Sequence, residues 1–378
     1  MKMLVLGSGM MGRALAYDLK KNGYDPVVAD SNKLRAKSVA DSLKIPYIIL
    51  DVSDQAAVKP YMEECEVTIS AVPYFYNEQL AHTAIEAHCH FCDLGGNNDV
   101  VIKELSMNDA AQKEDVLIIP NCGLAPGMAN VIAAQGIQEM DATHVQIRVG
   151  GLPQNPKPPL DYTLVFSVHG LLNEYIEPAV IIRNGTITEI PSLTEIEEIT
   201  FPSVGVLEAF HTSGGTSTLP QTFQGQLKEL DYKTIRYKGH CEKMKVLLDV
   251  GMCSEESVSI GTFQVSPRDV LSKVLERTLP VEEKDMVLMR ITAHGEKGIQ
   301  VYEMIDYFDE KSSMTAMART TAFPTSIIAQ MIASGTISER GAQPPETVVP
   351  PTSFIEALKK RNIIIRKQTS TPGTSPGS

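Results

Sequence analysis

The sequence predicts an α/β protein, a Rossmann doubly wound parallel sheet followed by a second, α+β domain, and three observations carry that prediction. Short β-branched apolar runs alternate with amphipathic helical patterns over the first 120 residues. The loop Gly7-Ser8-Gly9-Met10-Met11-Gly12 lies between the first such run and the first helical pattern. From His144 on, the alternation gives way to strand-like runs separated by Pro- and Gly-rich turns.

The expected strands of the first domain are Met3–Leu6, Pro26–Ala29, Tyr47–Leu50, Val67–Val72, His90–Leu94 and Val116–Ile119, enough for a complete dinucleotide-binding sheet. Helical patterns at Arg13–Lys20, Lys33–Leu43 and Glu78–Ala87 separate them, the first stopped by Asn22-Gly23. Ala125-Pro126-Gly127 is expected to open a small-residue helix, Met128–Gln138, with proline where its missing N–H costs little. Strands are then expected at Val145–Val149, Tyr162–Val168, Val287–Ala293 and Ile299–Asp306, and helices at Thr315–Ala333 and Phe354–Lys360. The last residues, Thr369–Ser378, are Ser, Thr, Pro and Gly only and are expected to be disordered. The resulting division is 1–124, 125–314, 315–366 and a tail at 367–378.

A chain of 378 residues suits about two domains. The net charge of -12 argues against nucleic acid or an anionic membrane as partner, which leaves small molecules and proteins. No run approaches the roughly 18 apolar residues of a membrane span, and no basic region followed by an apolar stretch precedes Met3–Leu6, so a cytoplasmic protein is expected. The six cysteines are then expected to be free thiols.

Within the 7–12 loop, Gly7 permits a tight turn, Gly9 lets backbone approach a pyrophosphate, and Gly12 allows close helix–sheet packing; Ser8, Met10 and Met11 complete the cradle. Asp30, with Ser31 beside it, ends the second strand where a carboxylate accepts from adenosine ribose hydroxyls and repels a 2′-phosphate, so NAD is favoured over NADP, although Lys33 and Arg35 lie close in sequence. Asp51 and Val52 end the third strand and are candidates for the adenine edge; Asp51 equally suits a turn or helix cap. Ala71, Val72 and Pro73 end the fourth strand with small side chains that let backbone meet cofactor. The loops after the fifth and sixth strands place Asp93 and Cys122 near the chemistry.

The motifs GSGMMG (from Gly7), SAVPYFYN (Ser70), DLGGN (Asp93), NCGLAPGMAN (Asn121), GGLPQNPKPPLDY (Gly150), RYKGHCEKMKVLLDVG (Arg236) and ARTTAFPTSIIAQMI (Ala318) together resemble saccharopine dehydrogenases and lysine 6-dehydrogenases, over nearly the whole chain. The 150–162 segment and the short length look more like the lysine 6-dehydrogenase branch. The resemblance implies that the α+β domain is inserted into the Rossmann domain, that the C-terminal helices return to the Rossmann half, and that a homodimer or higher homo-oligomer forms largely through the insert. It further implies NAD-dependent oxidation of an amine-bearing carbon. In a lysine 6-dehydrogenase the ε-amino carbon gives hydride to NAD, water hydrolyses the imine, ammonia leaves, and the semialdehyde cyclises.

Such chemistry on an amino-acid substrate needs a proton carrier and clamps for the α-amino and α-carboxylate groups. His82 is a candidate proton carrier, since by resemblance its position is lysine in saccharopine-forming relatives; it also suits an ordinary surface histidine. Asp93 is a candidate acceptor from a substrate ammonium or a loop-capping carboxylate. In Thr234–His240, strand alternation would put Arg236, Lys238 and His240 on one face, with Arg236 the natural partner of an α-carboxylate, unless the strand is simply a solvated basic face. His211 opens a polar, glycine-bearing loop that either closes over substrate or is a plain turn. His88-Cys89-His90-Phe91-Cys92 is read as no metal site, because no second ligand pair stands at recognisable spacing. A saccharopine or related opine-type dehydrogenase is the rival reading. It would need further cationic clamps, for which only Arg148 and Arg290 offer themselves. A third reading is an NAD-binding sensor without turnover.

Overall fold

The computed structural model describes residues 1–164, 167–279 and 284–371. They form two compact units, Met1–Gln135 with Ala318–Ile364, and Gly136–Met317 with the residues from Ile365 on.

In the first unit β1 (Lys2–Leu6), α1 (Met10–Lys21), β2 (Asp25–Asp30), α2 (Lys33–Leu43), β3 (Tyr47–Ile49), α3 (Gln55–Met62), β4 (Val67–Ser70), α4 (Asn77–Glu86) and β5 (His90–Asp93) alternate; α5 (Asn98–Leu105) and α6 (Asn108–Lys113) precede β6 (Leu117–Ile119). Helix α1 forms because Gly12, Leu15, Ala16 and Leu19 repeat at helical spacing and are buried. Leu4, Leu6, Val27, Ala29, Phe91 and Ile118 of the strands pack against Val58 and Met62 of α3 and Leu80, Ala81, Ala84 and Ile85 of α4. That cluster fixes where the strand ends, and hence the loops after them, stand.

Ala125-Pro126-Gly127 does not begin a helix with proline in its first turn. Ala125–Pro126 is a cis bond, Gly127 has φ 128°, and α7 starts only at Ala129 and runs to Met140. The division between the units falls inside α7 rather than at residue 125, so no turn or change of composition marks it.

The second unit contains β7 (Ala142–Pro153), α8 (Val168–Ile176), β8 (Ala179–Arg183), β9 (Thr186–Ile190), β10 (Glu197–Phe201), β11 (Gly205–His211), α9 (Leu219–Thr222), β12 (Glu229–Arg236), α10 (His240–Asp249), β13 (Val258–Ile260), β14 (Phe263–Val265), α11 (Pro267–Thr278), β15 (Asp285–Gly295) and β16 (Gly298–Tyr307). Of the expected strand Tyr162–Val168, the described residues form none: 162–164 and Ser167 are in no strand and Val168 opens α8. Ser167 accepts a hydrogen bond from Gly170 N, and Val168, Leu171, Leu172 and Tyr175 bury one face of a helix, so the apolar run ends in α8; residues 165 and 166 lie outside those described.

α12 (Ala316–Ala333), β17 (Gly341–Ala342), α13 (Pro345–Val348), α14 (Pro351–Lys359) and β18 (Arg366–Ser370) complete the chain. The second division falls inside α12, after Met317, rather than at residue 315. Buried Asp18 of α1 accepts from Arg361 Nε at 2.7 Å, Ser326 Oγ at 2.8 Å and Gln330 Nε2 at 3.1 Å, which ties α12 and the end of α14 to the first unit. Residues 367–370 are not a disordered tail: they form β18, whose polar side chains suit an edge strand against β16; residues 372–378 lie outside those described.

The first unit's sheet has the order β17-β6-β5-β4-β1-β2-β3, every pair parallel, and the order reverses beside β1, where ligands of doubly wound sheets bind. In the second, β10-β11-β12-β7-β15-β16-β18 form one mixed sheet with β8 and β9 attached at β12; β7 and β12 run parallel. Among the described residues no helix is long and apolar enough to cross a membrane.

Candidate active site

The first unit builds a phosphate cradle from glycine geometry. Gly7 has φ 96°, and a Cβ there would meet Ala71 O at 2.6 Å; a Cβ on Gly12 would lie 1.9 Å from Gly7 O. A Cβ on Gly9 would meet nothing within 4 Å, so the loop is open on that side. Gly9 caps α1, no side chain caps that end, and its first turn holds no acidic residue. Backbone donors and the positive end of a twelve-residue helix are thus available to an anion. Gly12→Ala should cost about 3 kcal/mol of stability and abolish cofactor binding, because the new methyl meets backbone rather than a movable side chain. Thermal melting with and without dinucleotide checks both effects.

Asp30 ends β2 beside this cradle. Its Oδ2 accepts from Ser8 N at 2.8 Å and Ser8 Oγ at 2.7 Å, and its Oδ1 accepts from Asn32 N at 2.8 Å. Burial alone would raise its pKa, but these bonds, with Arg35 adding to them, outweigh burial and hold the carboxyl below its ordinary range. Ser31 is exposed beside it. Asp51 proves to be a turn residue, accepting from Ser53 N at 2.9 Å and Ser53 Oγ at 2.7 Å, while the Val52 side chain is buried in the core. Ala71, Val72 and Pro73 follow β4, with Ala71 N bonded to Leu6 O at 2.8 Å, which brings the β4 loop against the glycine loop. The donor set fits a dinucleotide: the Gly7–Gly12 backbone for its pyrophosphate and Asp30 for its adenosine ribose.

Three expected site residues of this unit do other work. Asp93 is fully buried and spends Oδ1 on Gly95 N at 2.5 Å and Asn121 N at 3.2 Å, holding the β5 and β6 loops together. Its carboxyl interacts with that of buried Glu104, whose pKa burial and Asp93 push up to about 11, so Glu104 holds a proton at neutral pH and the pair is enclosed in the protein. The Cys122 thiol is fully buried and donates to Ile119 O at 3.2 Å, and burial raises its pKa. His82 stands on the solvent face of α4, 3.4 Å from Glu86 one turn on, because Leu80, Ala81, Ala84 and Ile85 take the buried face. In the His88–Cys92 segment, His88 faces Glu114, Cys89 bonds Thr68, and His90 Nδ1 accepts from Leu117 N. Among the described residues no three potential ligands gather.

In the second unit the strand alternation expected through His240 breaks. β12 ends at Arg236, Gly239 turns the chain with φ 87°, and His240 begins α10. Lys238 is consequently exposed and pairs with Glu198. His211 is buried, its ring nitrogens bonded to Tyr232 O at 3.0 Å and Glu195 Oε2 at 3.2 Å, so it opens no loop over a substrate.

Arg236 remains, in company the sequence did not announce. Its Nε donates to Tyr175 Oη at 3.0 Å and its Nη1 to Ile235 O at 3.0 Å; its guanidinium carbon lies 4.8 Å from the centre of the Tyr162 ring. His240 Nδ1 must donate to Leu160 O, 2.9 Å away, so its Nε2 accepts from Tyr175 Oη at 3.0 Å. Burial, with Arg236 adding to it, lowers the His240 pKa to about 3. His240 is therefore a neutral positioning residue for Tyr175 and Arg236 and not a proton carrier. Glu174 and Tyr175 escape sequence reasoning because they lie some sixty residues before Arg236 and belong to no motif, and Tyr162, although it closes the 150–162 motif, lies still farther from Arg236 in sequence with nothing to link the two.

A pyrophosphate cradle at the switch point of a parallel sheet, with a second unit that buries an unusual arginine, defines a two-unit dinucleotide-binding protein. Residues 3–119 match the saccharopine dehydrogenase NADP binding domain and residues 123–364 the saccharopine dehydrogenase C-terminal domain. The chain belongs to the saccharopine dehydrogenase family. It is 24% identical to saccharopine dehydrogenase [NADP(+), L-glutamate-forming] of Pyricularia oryzae, over 90% of this chain and 93% of that one. It is 23% identical to the protein of the same name from Schizosaccharomyces pombe, over 97% and 98%. The fold matches an apo saccharopine dehydrogenase (L-Glu forming) structure from Saccharomyces cerevisiae with a TM-score of 0.80 at 19% identity, covering 98% of this chain and all of that one.

Proposed function

We propose that this chain oxidises the amine-bearing carbon of a small amino acid with NAD, most simply L-lysine at its ε-amine, giving the 6-semialdehyde, which cyclises, together with ammonia and NADH. The observation that carries the choice of substrate is the use of buried cations in the second unit. Arg148 is spent on Glu197 and Asp231, and Lys233 on Glu197. Arg290, half-buried, is spent on Glu303. Among the described buried cations of that unit, Arg236 alone donates to a phenol and a carbonyl rather than to carboxylates. One clamp suits an α-amino acid with one carboxylate; a secondary amine bearing a second dicarboxylate arm asks for more.

A bound NAD would take the hydride from the substrate carbon. Arg236 would hold the α-carboxylate, with Tyr175 and His240 fixing the guanidinium plane. Asp93 and Glu104, as a buried acid pair, would keep the β5 and β6 loops in place. The test is NADH formation at 340 nm from NAD with L-lysine, L-ornithine or saccharopine, with ammonia and glutamate assayed alongside. NADH with ammonia from lysine supports the reading. Glutamate from saccharopine moves the chain to the activity its curated relatives are named for, and binding of NAD without turnover of any amine leaves a sensor.

The chain is further proposed to form a homodimer or higher homo-oligomer through its second unit, since Val258, Ile260 and Phe263 of the β13–β14 hairpin and Val270 and Val274 of α11 are all exposed. Replacing both Ile260 and Phe263 with Glu should give monomers, read by light scattering on a sizing column.

A further inference from the structure

Glu174 is the member of the Arg236 cluster with no task so far. It follows Asn173 on α8, one residue before Tyr175, so the helix that supplies the phenol to Arg236 also presents this carboxylate. Its Oε2 lies 3.9 Å from Arg236 Nη2, too far for a hydrogen bond. Its side chain is 34% exposed, whereas that of Arg236 is only 3% exposed. Tyr162, whose ring lies on the guanidinium, carries a buried hydroxyl that has no hydrogen-bond partner among the described residues. An orphaned buried hydroxyl and an incompletely paired guanidinium are costly unless a ligand completes them.

We propose that Glu174 binds the α-ammonium group of the substrate while Arg236 and the Tyr162 hydroxyl bind its α-carboxylate, so that the cluster recognises the α-amino-acid zwitterion. The inference rests on the reading of the chain as an amino-acid dehydrogenase and specifies how that site selects its substrate. A single carbon separates the two charges of an α-amino acid. Glu174 and Arg236 present their opposite charges side by side, 3.9 Å apart and without a hydrogen bond between them, so the two charges of one α-amino acid can each lie against its opposite. Neither charge of the cluster would then be left to pair with the other.

Titration supports this geometry. Burial raises the Glu174 pKa to about 7; Arg236 opposes that rise and Glu177, on the same helix, adds to it. The other titratable groups that sense Glu174 are the Tyr162, Tyr175 and Tyr232 phenols. Protonated Glu174 cannot accept from an ammonium group as an anion does, so zwitterion binding should weaken as pH falls below about 7.

The experiment compares L-lysine with 6-aminohexanoate, which keeps the carboxylate and the reacting amine but lacks the α-ammonium, as substrates of the full chain with NAD. The wild-type protein should prefer lysine by about 30-fold in kcat/KM, the size of one charge-assisted hydrogen bond. Glu174→Gln should remove most of that preference by losing lysine turnover alone, chiefly through KM, and the lysine-to-6-aminohexanoate ratio should fall with decreasing pH in the wild type only. An equal loss on both substrates, or an unchanged ratio, overturns the proposal. Should the wild type oxidise neither compound, the dehydrogenase reading fails separately, and calorimetry with L-norleucine and hexanoate decides the clamp. Norleucine binding that Glu174→Gln abolishes sustains it; no norleucine binding to the wild type, or equal binding to the variant, overturns it.

Discussion

Arg236→Met should lower kcat/KM for the amino-acid substrate by about 10³-fold while leaving the melting temperature nearly unchanged, and Arg148→Met should do the reverse. Losing two charge-assisted hydrogen bonds to a carboxylate is worth about 3–5 kcal/mol, which sets the first figure. The second half of the expectation follows from what each arginine leaves behind. Around Arg236 stand two phenols, a carbonyl and a carboxyl 3.9 Å away. That carboxyl is already pushed up to about 7 by burial, so it takes a proton when the arginine goes and no uncompensated charge remains. Arg148, itself only 4% exposed at its side chain, sits between Glu197 and Asp231. Both are partly buried; without the arginine Asp231 loses its cation and Glu197 keeps only Lys233, at a cost of about 3–5 kcal/mol. Steady-state kinetics and thermal melting of the two variants separate a substrate clamp from a structural ion network. If Arg236→Met melts far below the wild type and Arg148→Met does not, the assignment is reversed.

The same contrast explains what the sequence made legible. The parallel sheet was readable because each of its first six strands is a compact apolar run followed by a helix with its own periodicity, and the glycine loop because Gly7 and Gly12 answer steric demands that no other residue meets. β17 escaped notice because two residues, Gly341 and Ala342, carry no pattern; they pair with β6 because α6 and its neighbours hold them there. The run from Tyr162 looked like a strand since β-branched and aromatic residues fill it, yet the cap at Ser167 starts a helix at the next residue. Arg236 was visible as a cation closing a strand, whereas Lys238 and His240 were misplaced because Gly239 leaves the strand conformation between them. Burial then decided the remaining candidates. His211, His240, Asp93 and Cys122 are all buried and bonded inside the protein, which no local pattern of polar residues can reveal. The partners of Arg236 come from separate stretches of chain, and only the tertiary fold gathers them.

Asp30→Ser should shift the ratio of kcat/KM for NAD to that for NADP by about 10³-fold toward NADP, the sum of a lost charge-assisted bond to the ribose and a removed like-charge repulsion, each about 2 kcal/mol. Wild-type Asp30 is ionised, because the bonds from Ser8 and Asn32 together with Arg35 more than offset burial and lower its pKa. The sign of the pH effect follows. A group whose pKa is depressed keeps its charge at every pH above its ordinary value, so any discrimination against NADP that Asp30 supplies should be flat from about pH 6 to 9 and should erode only in acid. In the variant, the serine hydroxyl, Asn32 N–H and Arg35 would offer donors and positive charge where a 2′-phosphate needs them. This expectation sets the local chemistry of β2 against the relatives, since the matched domain is described as NADP binding and the curated relatives are named for NADP(+). Kinetics with both cofactors therefore discriminate sharply. A wild-type enzyme that prefers NADP would mean that Lys33 and Arg35 govern the pocket despite the carboxylate, and that the Asp30 side chain serves only to anchor Ser8 and the turn at Asn32.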